Sequence, residues 1–218
     1  MSRLVKSVCL VCPLMISFNA SAEGKPFYDG FYAGGSLGFS NIDAPIGPSD
    51  VDAAFAANGV TTTTEVDDNG LGWRLFGGYN LNKYLGFEIA YVDLNELETE
   101  TTSSSPFVST TNVAAEVDGF TFAGIGKYPV TETFNIFGKV GAFVWDVEGA
   151  ASVTIGGTTL AIPASLSSLL DNDGTDIMFG FGADFELMEN VGIRAEWERY
   201  EVDNTDIDLV SIGVEYRF

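Results

Sequence analysis

From about residue 30 to the end of the chain, apolar and small or polar residues alternate in segments bounded by turn residues. Eight strands are predicted, at about 30–40, 70–80, 84–94, 117–128, 134–147, 175–187, 191–201 and 206–218. The connections alternate in length. Those around 80–83, 129–133 and 188–190 are short, whereas 41–69, 95–116 and 148–174 are long and rich in Thr, Ser, Asp, Gly and Ala. The last hairpin, near Asp203-Asn204, is short again. Short turns at one end and long loops at the other predict an all-β fold: an eight-stranded antiparallel up-and-down transmembrane β-barrel. In the first long loop, Ser49 with Asp52 reads as a capping box and Gly59 as a helix stop, so a helical turn is expected there. Residues 160–170, LAIPASLSSLL, read as a short loop helix or a patch at the membrane surface.

Alternation alone does not say which face is inside, because a soluble barrel alternates as well. Residue size separates the two cases. One face carries Phe31, Leu37, Phe39, Leu71, Trp73, Leu75, Phe87, Ile89, Phe120, Phe122, Phe179, Phe181 and Trp197. The other carries Gly34, Ser36, Gly38, Gly72, Gly78, Ala90, Gly180, Gly182 and Gly213, interspersed with charges. An eight-stranded barrel is only just wide enough for its own side chains, so the small face is placed inside. The bulky face then needs a bilayer, since in water it would be one large apolar patch. Aromatics near strand ends (Tyr28, Phe31, Tyr79, Tyr84, Tyr128 and Phe218; Tyr91 and Trp197) suit two interfacial girdles.

That phase turns Glu88, from the run YLGFEIAY, into the lumen, where a charge needs a partner. Arg74, Lys127, Arg194, Arg217, Asp184, Glu186, Glu196 and Glu215 share the hidden face. Lys139 joins them if the predicted fifth strand is regular. Regularity there would also turn Phe137, Phe143 and Trp145 inward, so a bulge is expected in that strand.

Composition narrows the function. The chain of 218 residues has 31 acidic and 10 basic residues, a net charge of −21, and no histidine. Nucleic acid is excluded as a partner, because phosphate binding needs Lys and Arg. The commonest general base and metal ligand is missing. GGSLG (34–38) fits G-x-S-x-G, but it lies within a strand and no histidine exists to complete a triad. DNDGTD (171–176) has part of a calcium loop without its terminal Glu and reads as an acidic turn. The external acids Asp43, Asp50, Asp52, Glu65, Asp67, Asp68, Glu96, Glu98 and Glu100 read as solvated, repulsive loops. Weak divalent-cation binding or capture of a basic ligand is the functional alternative. No catalytic residue, cofactor or metal site is expected.

The N-terminus reads as a secretory signal. Arg3 and Lys6 precede an apolar run, Val8 to Phe18, and Ala20-Ser21-Ala22 fits the cleavage rule. The run is shorter than the ~20 residues a membrane-spanning helix needs. Residues 1–22 are therefore assigned to a signal peptide and 23–218 to the barrel. Both cysteines, Cys9 and Cys12, fall in the signal. Removing Arg3 and Lys6 from the ten basic residues leaves eight against 31 acidic ones, a net charge of −23.

LGWRLFGGYNLNKYLGFEIAYVDL (71–94), GFTFAGIGKYPVTETFNIFGKVGAFVW (119–145) and GIRAEWERY (192–200) resemble the transmembrane domain of OmpA-like outer-membrane proteins. The ending LVSIGVEYRF, with Val214, Tyr216 and Phe218, resembles the sorting signal of outer-membrane barrels. The resemblance implies a lumenal salt-bridge cluster, which Glu88, Asp184 and Arg194 match by position. A lysine common on the family's fourth strand is replaced by Ile125, and Lys127 lies two residues along on the same face. The sequence ends with the barrel, so the family's separate periplasmic peptidoglycan-binding domain is not expected. The implied partners are outer-membrane lipids, lipopolysaccharide and the barrel assembly machinery. The implied role is structural, in the envelope and at its surface, with a narrow low-conductance channel or a surface adhesin as alternatives.

Overall fold

The computed structural model describes residues 30–43, 48–67, 69–105, 108–155, 158–161, 172–203 and 205–218. The signal segment, Tyr28 and most of the apolar 160–170 stretch lie outside them. Eight strands close a barrel: β1 (Gly30–Asp43), β3 (Asn69–Asn80), β4 (Leu85–Ser105), β5 (Ser109–Pro129), β6 (Phe134–Ile155), β8 (Asn172–Met188), β9 (Val191–Val202) and β10 (Thr205–Arg217). Each pairs antiparallel with its neighbour in the chain order of the barrel. β10 returns to β1 over twelve residues, from Tyr32↔Arg217 to Asp43↔Asp206, so the barrel has no free edge.

The short connections have local causes. Asn82 Oδ1 accepts from the backbone N–H groups of Tyr84 (2.8 Å) and Leu85 (3.0 Å), a side-chain-closed turn. Val130 N–H donates to Phe134 O at 2.9 Å. At the opposite end Asp203 turns the last hairpin with φ 45°, a conformation that Asp tolerates better than most residues.

Among the described residues, much of the long connections is strand rather than loop. β4, β5 and β6 continue as strands of 21, 21 and 22 residues. Two further strands flank them, β2 (Thr61–Asp67) on β4 and β7 (Thr158–Ala161) on β6. Together they form a five-stranded wall standing on one side of the barrel. Beyond Asp93, β4 supplies roughly 40 Å of extended chain at ~3.3 Å per residue. Thr-rich composition explains the difference: Thr is β-branched and strand-forming even where nothing apolar alternates with it. Cross-strand hydroxyl pairs run through the wall, Thr102–Thr110 (3.4 Å) and Thr154–Thr159 (2.9 Å) among them.

The helical turn exists as α1 (Pro48–Ala56), and Gly59 follows it with φ 78°. Its expected capping box does not form. The helix begins at Pro48, and Asp52 instead accepts from the hydroxyls of Thr62 (2.8 Å) and Thr64 (2.9 Å), pinning α1 to β2. Those hydrogen bonds, Thr62 first, hold the Asp52 carboxyl below the usual carboxylate range.

The expected bulge in the predicted fifth strand is also absent. β6 keeps an unbroken register with β5 and with β8, so Phe137, Phe143 and Trp145 do turn inward beside Lys139. Register shifts occur elsewhere, between Asp93 and Glu96 and between Glu186 and Met188. The lumen thus holds more rings than expected: Tyr32, Phe76, Phe137, Phe143, Trp145 and Tyr200 are all buried. Glycines make room for five of them. A Cβ on Gly34 would sit 2.5 Å from the Phe76 ring, and one on Gly174 would sit 2.5 Å from Trp145. Gly78, Gly119 and Gly182 face Tyr32, Phe143 and Phe137 in the same way.

The outer face is apolar over the band common to all eight strands, with Phe31, Leu37, Phe39, Phe87, Phe122, Val140, Phe181 and Ile212 exposed. Rings pack along its borders, as in Phe31–Tyr79 (4.7 Å), Tyr91–Phe120 (5.2 Å), Phe181–Trp197 (5.1 Å) and Tyr216–Phe218 (5.0 Å). At the long-strand border the polar tips find acceptors: Trp73 Nε1 donates to Asp93 (3.1 Å) and the Tyr91 hydroxyl to Asp118 (2.7 Å).

Candidate functional site

The lumen gathers ten buried charged residues among the described ones. Five are cationic (Arg74, Lys127, Lys139, Arg194 and Arg217) and five anionic (Glu88, Asp184, Glu196, Glu198 and Glu215). Each reaches the interior because it occupies the inward parity of a strand whose other face carries bulky apolar residues.

Glu88 is the hub. Its Oε1 accepts from Arg74 Nη2 (2.6 Å) and Lys139 Nζ (3.2 Å), and its Oε2 from Arg194 Nη1 (2.5 Å) and the Tyr32 hydroxyl (3.0 Å). Arg74 extends to Glu196 (2.7 Å) and Glu198 (3.0 Å). Lys139 bonds Glu196 as well and meets Glu198 at 2.7 Å. Arg194 holds Asp184 (2.8 Å) and Glu215 (2.8 Å), and Arg217 pairs with Glu215. Lys127 is the loosest member, 3.6 Å from Asp184 with its ammonium over the Tyr32 ring. The Arg194 guanidinium also lies over Phe76 and Phe137.

Of the ten charged residues that the sequence places on the hidden face, the structure brings nine together in the lumen: Glu88, Asp184, Arg194, Glu196, Arg74, Lys127, Lys139, Glu215 and Arg217. Glu186 is set apart, half-buried near the register shift in β8. Ile125 is buried at the place of the family's lysine. Two contributors lie beyond those nine, Glu198 and Tyr32. Glu198 continues the parity of Arg194 and Glu196, so counting by twos along GIRAEWERY is sufficient to find it. Tyr32 precedes Gly34 and Ser36 on the same parity.

Of the other motifs, Ser36 sits buried on the lumenal face of β1. Residues 172–176 are part of β8, and Asp176 accepts from Trp145 Nε1 at 2.8 Å. Of the acids in the predicted long loops, Glu65, Asp67, Glu96, Glu98 and Glu100 lie on strands of the wall, where Glu65 pairs in register with Glu100 and both are exposed; Asp43 ends β1, Asp50 and Asp52 lie on α1, and Asp68 falls outside the described residues. Among the described residues no group of three or more His, Cys, Asp or Glu is placed to hold a metal ion. Val214, Tyr216 and Phe218 point outward from the closing end of the barrel.

A family model described as "OmpA-like transmembrane domain" matches residues 26–218. Outer membrane protein A of Salmonella typhi is 27% identical over 221 residues, covering 98% of this chain and 55% of that protein. Its counterpart from Shigella flexneri is 27% identical over 222 residues, covering 98% and 56%. The chain thus spans a little over half the length of these relatives. Among solved structures, Neisserial surface protein A aligns with a TM-score of 0.47 at 15% identity, covering 87% of this chain and 97% of that one. Ail of Yersinia pestis, in complex with the heparin analogue sucrose octasulfate, aligns with a TM-score of 0.44 at 16% identity, covering 87% and 99%.

Proposed function

This chain belongs to the OmpA-like transmembrane domain family, and from that premise we propose that it is a closed structural barrel of a Gram-negative outer membrane. On this reading it is exported by its N-terminal signal, inserted by the barrel assembly machinery through the Val214, Tyr216 and Phe218 signal, and surrounded by lipopolysaccharide. It carries no catalysis. The lumenal residues Glu88, Asp184, Arg194, Glu196, Arg74, Lys127 and Lys139 act as a staple across the barrel rather than as a path through it.

One observation carries the reading: the buried charges are balanced five against five and interlocked. An aqueous pore needs polar groups that water can reach, whereas Arg74, Arg194, Glu88, Glu196 and Glu198 have side chains no more than 1% exposed. The parent barrel, reconstituted in planar bilayers, is expected to show no current steps at any voltage. Reproducible steps would favour the narrow-channel alternative.

A surface role is supported by the wall, which projects a large polar sheet beyond the apolar band. Its chemistry limits the partners. Among the described residues beyond the band on the wall's side, Arg199 is the one basic side chain, and it is held by Asp206 (3.1 Å) and Asp208 (2.6 Å). A sulfated ligand such as the heparin analogue in the Ail complex would meet carboxylates here, so a neutral or cationic ligand fits better.

A further inference from the structure

Resting on the closed-barrel reading, we infer that an apolar seal in the outer half of the lumen, and not the ion-pair layer beneath it, is the barrier that keeps ions out. The inward residues of the strands change character along the barrel. From the short-turn end, β4 runs Glu88, Ala90, Val92, Leu94, and β9 runs Arg194, Glu196, Glu198, Tyr200. β10 runs Arg217, Glu215, Gly213, Ser211, Leu209. β4, β9 and β10 thus pass from polar or small residues to apolar ones toward the wall end, where β1 ends in Ile42 and β6 in Phe143, Trp145 and Val147, whereas β3 ends in Gly72 and Gly70, β5 mixes Ile125, Ala123, Thr121 and Val117, and β8 follows Met178 with Asp176.

Val92, Leu94, Phe143, Met178, Tyr200 and Leu209 form this seal, each 0% exposed. The Phe143 and Tyr200 rings pack at 4.9 Å, tilted by 59°. On the β3 side, where only glycine faces inward, a Cβ on Gly72 would stand 2.8 Å from Leu209 Cδ1, so Leu209 fills the gap.

The two layers oppose an ion differently. A cation entering the ionic layer meets five carboxylates that can exchange partners and replace its hydration shell. The apolar layer offers little in exchange for lost water, since the Ser40 hydroxyl beside it donates to Leu94 O at 2.7 Å and the Tyr200 hydroxyl is the one polar tip among the seal residues named, and a constriction lined this way holds no continuous water column. Rearranging ion pairs alone therefore leaves the path shut.

The test is planar-bilayer recording on four proteins first shown to be folded by heat-modifiable gel mobility: the parent, Leu209→Asn, Phe143→Ala and Glu88→Gln. Leu209→Asn keeps the branched shape and the number of side-chain heavy atoms while placing an amide in the seal, and Phe143→Ala opens the same layer by removing a ring. Current steps are expected to appear in either folded seal variant, with the parent and Glu88→Gln silent. The inference is overturned if both folded seal variants stay silent, or if Glu88→Gln conducts with the seal intact. A conducting parent would overturn both this inference and the closed-barrel reading.

Discussion

Arg194→Ala is expected to lower the unfolding free energy of the barrel by about 3–5 kcal/mol, the range for removing one partner from a buried ion cluster. Arg194 is fully buried and bonds Asp184, Glu88 and Glu215 at 2.8, 2.5 and 2.8 Å. Removing it leaves five buried carboxylates against four cations. Water entering the vacated space would hydrate Asp184, Glu88 and Glu215 without supplying the lost positive charge, and the Tyr32, Phe76 and Phe137 rings that face the guanidinium offer the carboxylates no hydrogen bonds beyond the Tyr32 hydroxyl. Arg194→Lys should recover part of the loss, since it restores the charge but not the planar fork that serves three carboxylates at once. Urea titration in lipid vesicles, read by the heat-modifiable band, measures the difference. An unchanged midpoint for Arg194→Ala would remove the case for a staple.

Val140→Lys is expected to cost about 2–4 kcal/mol, the range for a basic side chain at the bilayer midplane of an outer-membrane barrel. Val140 lies on the outward face of β6, midway along the part of the strand that falls in the apolar band, and is 57% exposed. Its neighbour Lys139 is the same residue type one step along the strand, yet it is accommodated because Glu88, Glu196 and Glu198 receive it. A soluble barrel makes the opposite forecast, since an exposed Val→Lys change then falls within about ±0.5 kcal/mol. The same vesicle titration decides between them.

Much of this was legible in the sequence because strand side chains have a period of two. Once one residue of a strand is placed, its parity places the rest, and that alone brings nine charged residues to one lumen. The failures share a cause. Residue size is a proxy for face that fails in β6, where Phe137, Phe143 and Trp145 turn inward in an unbroken register and no bulge is needed. The space for those rings comes from glycines on neighbouring strands, Gly182, Gly119 and Gly174. Such cross-strand fits depend on register, which a single strand does not reveal. The wall was missed for a related reason. Its Thr-rich strands have no apolar–polar alternation to detect, and they are held by partners far away in sequence, as in Thr64↔Thr101. Nor could pairing within the lumen be read from parity, since Arg74 and Glu196 meet across 122 positions.

The inward layering adds a distinction that the family resemblance did not supply. Below, the lumen is polar and electrostatically interlocked; above, it is packed like a small soluble core around Phe143, Tyr200 and Leu209. Stability is assigned to the first layer and impermeability to the second, and the two should therefore respond to different substitutions.

Inside-out packing is the claim beneath all of this, and its most direct test is refolding of residues 23–218 from denaturant into plain buffer and, in parallel, into buffer with detergent or lipid vesicles. The packing described here predicts a compact, heat-modifiable species only where an amphiphile is present, with aggregation elsewhere. A monodisperse, folded protein in plain buffer would contradict it.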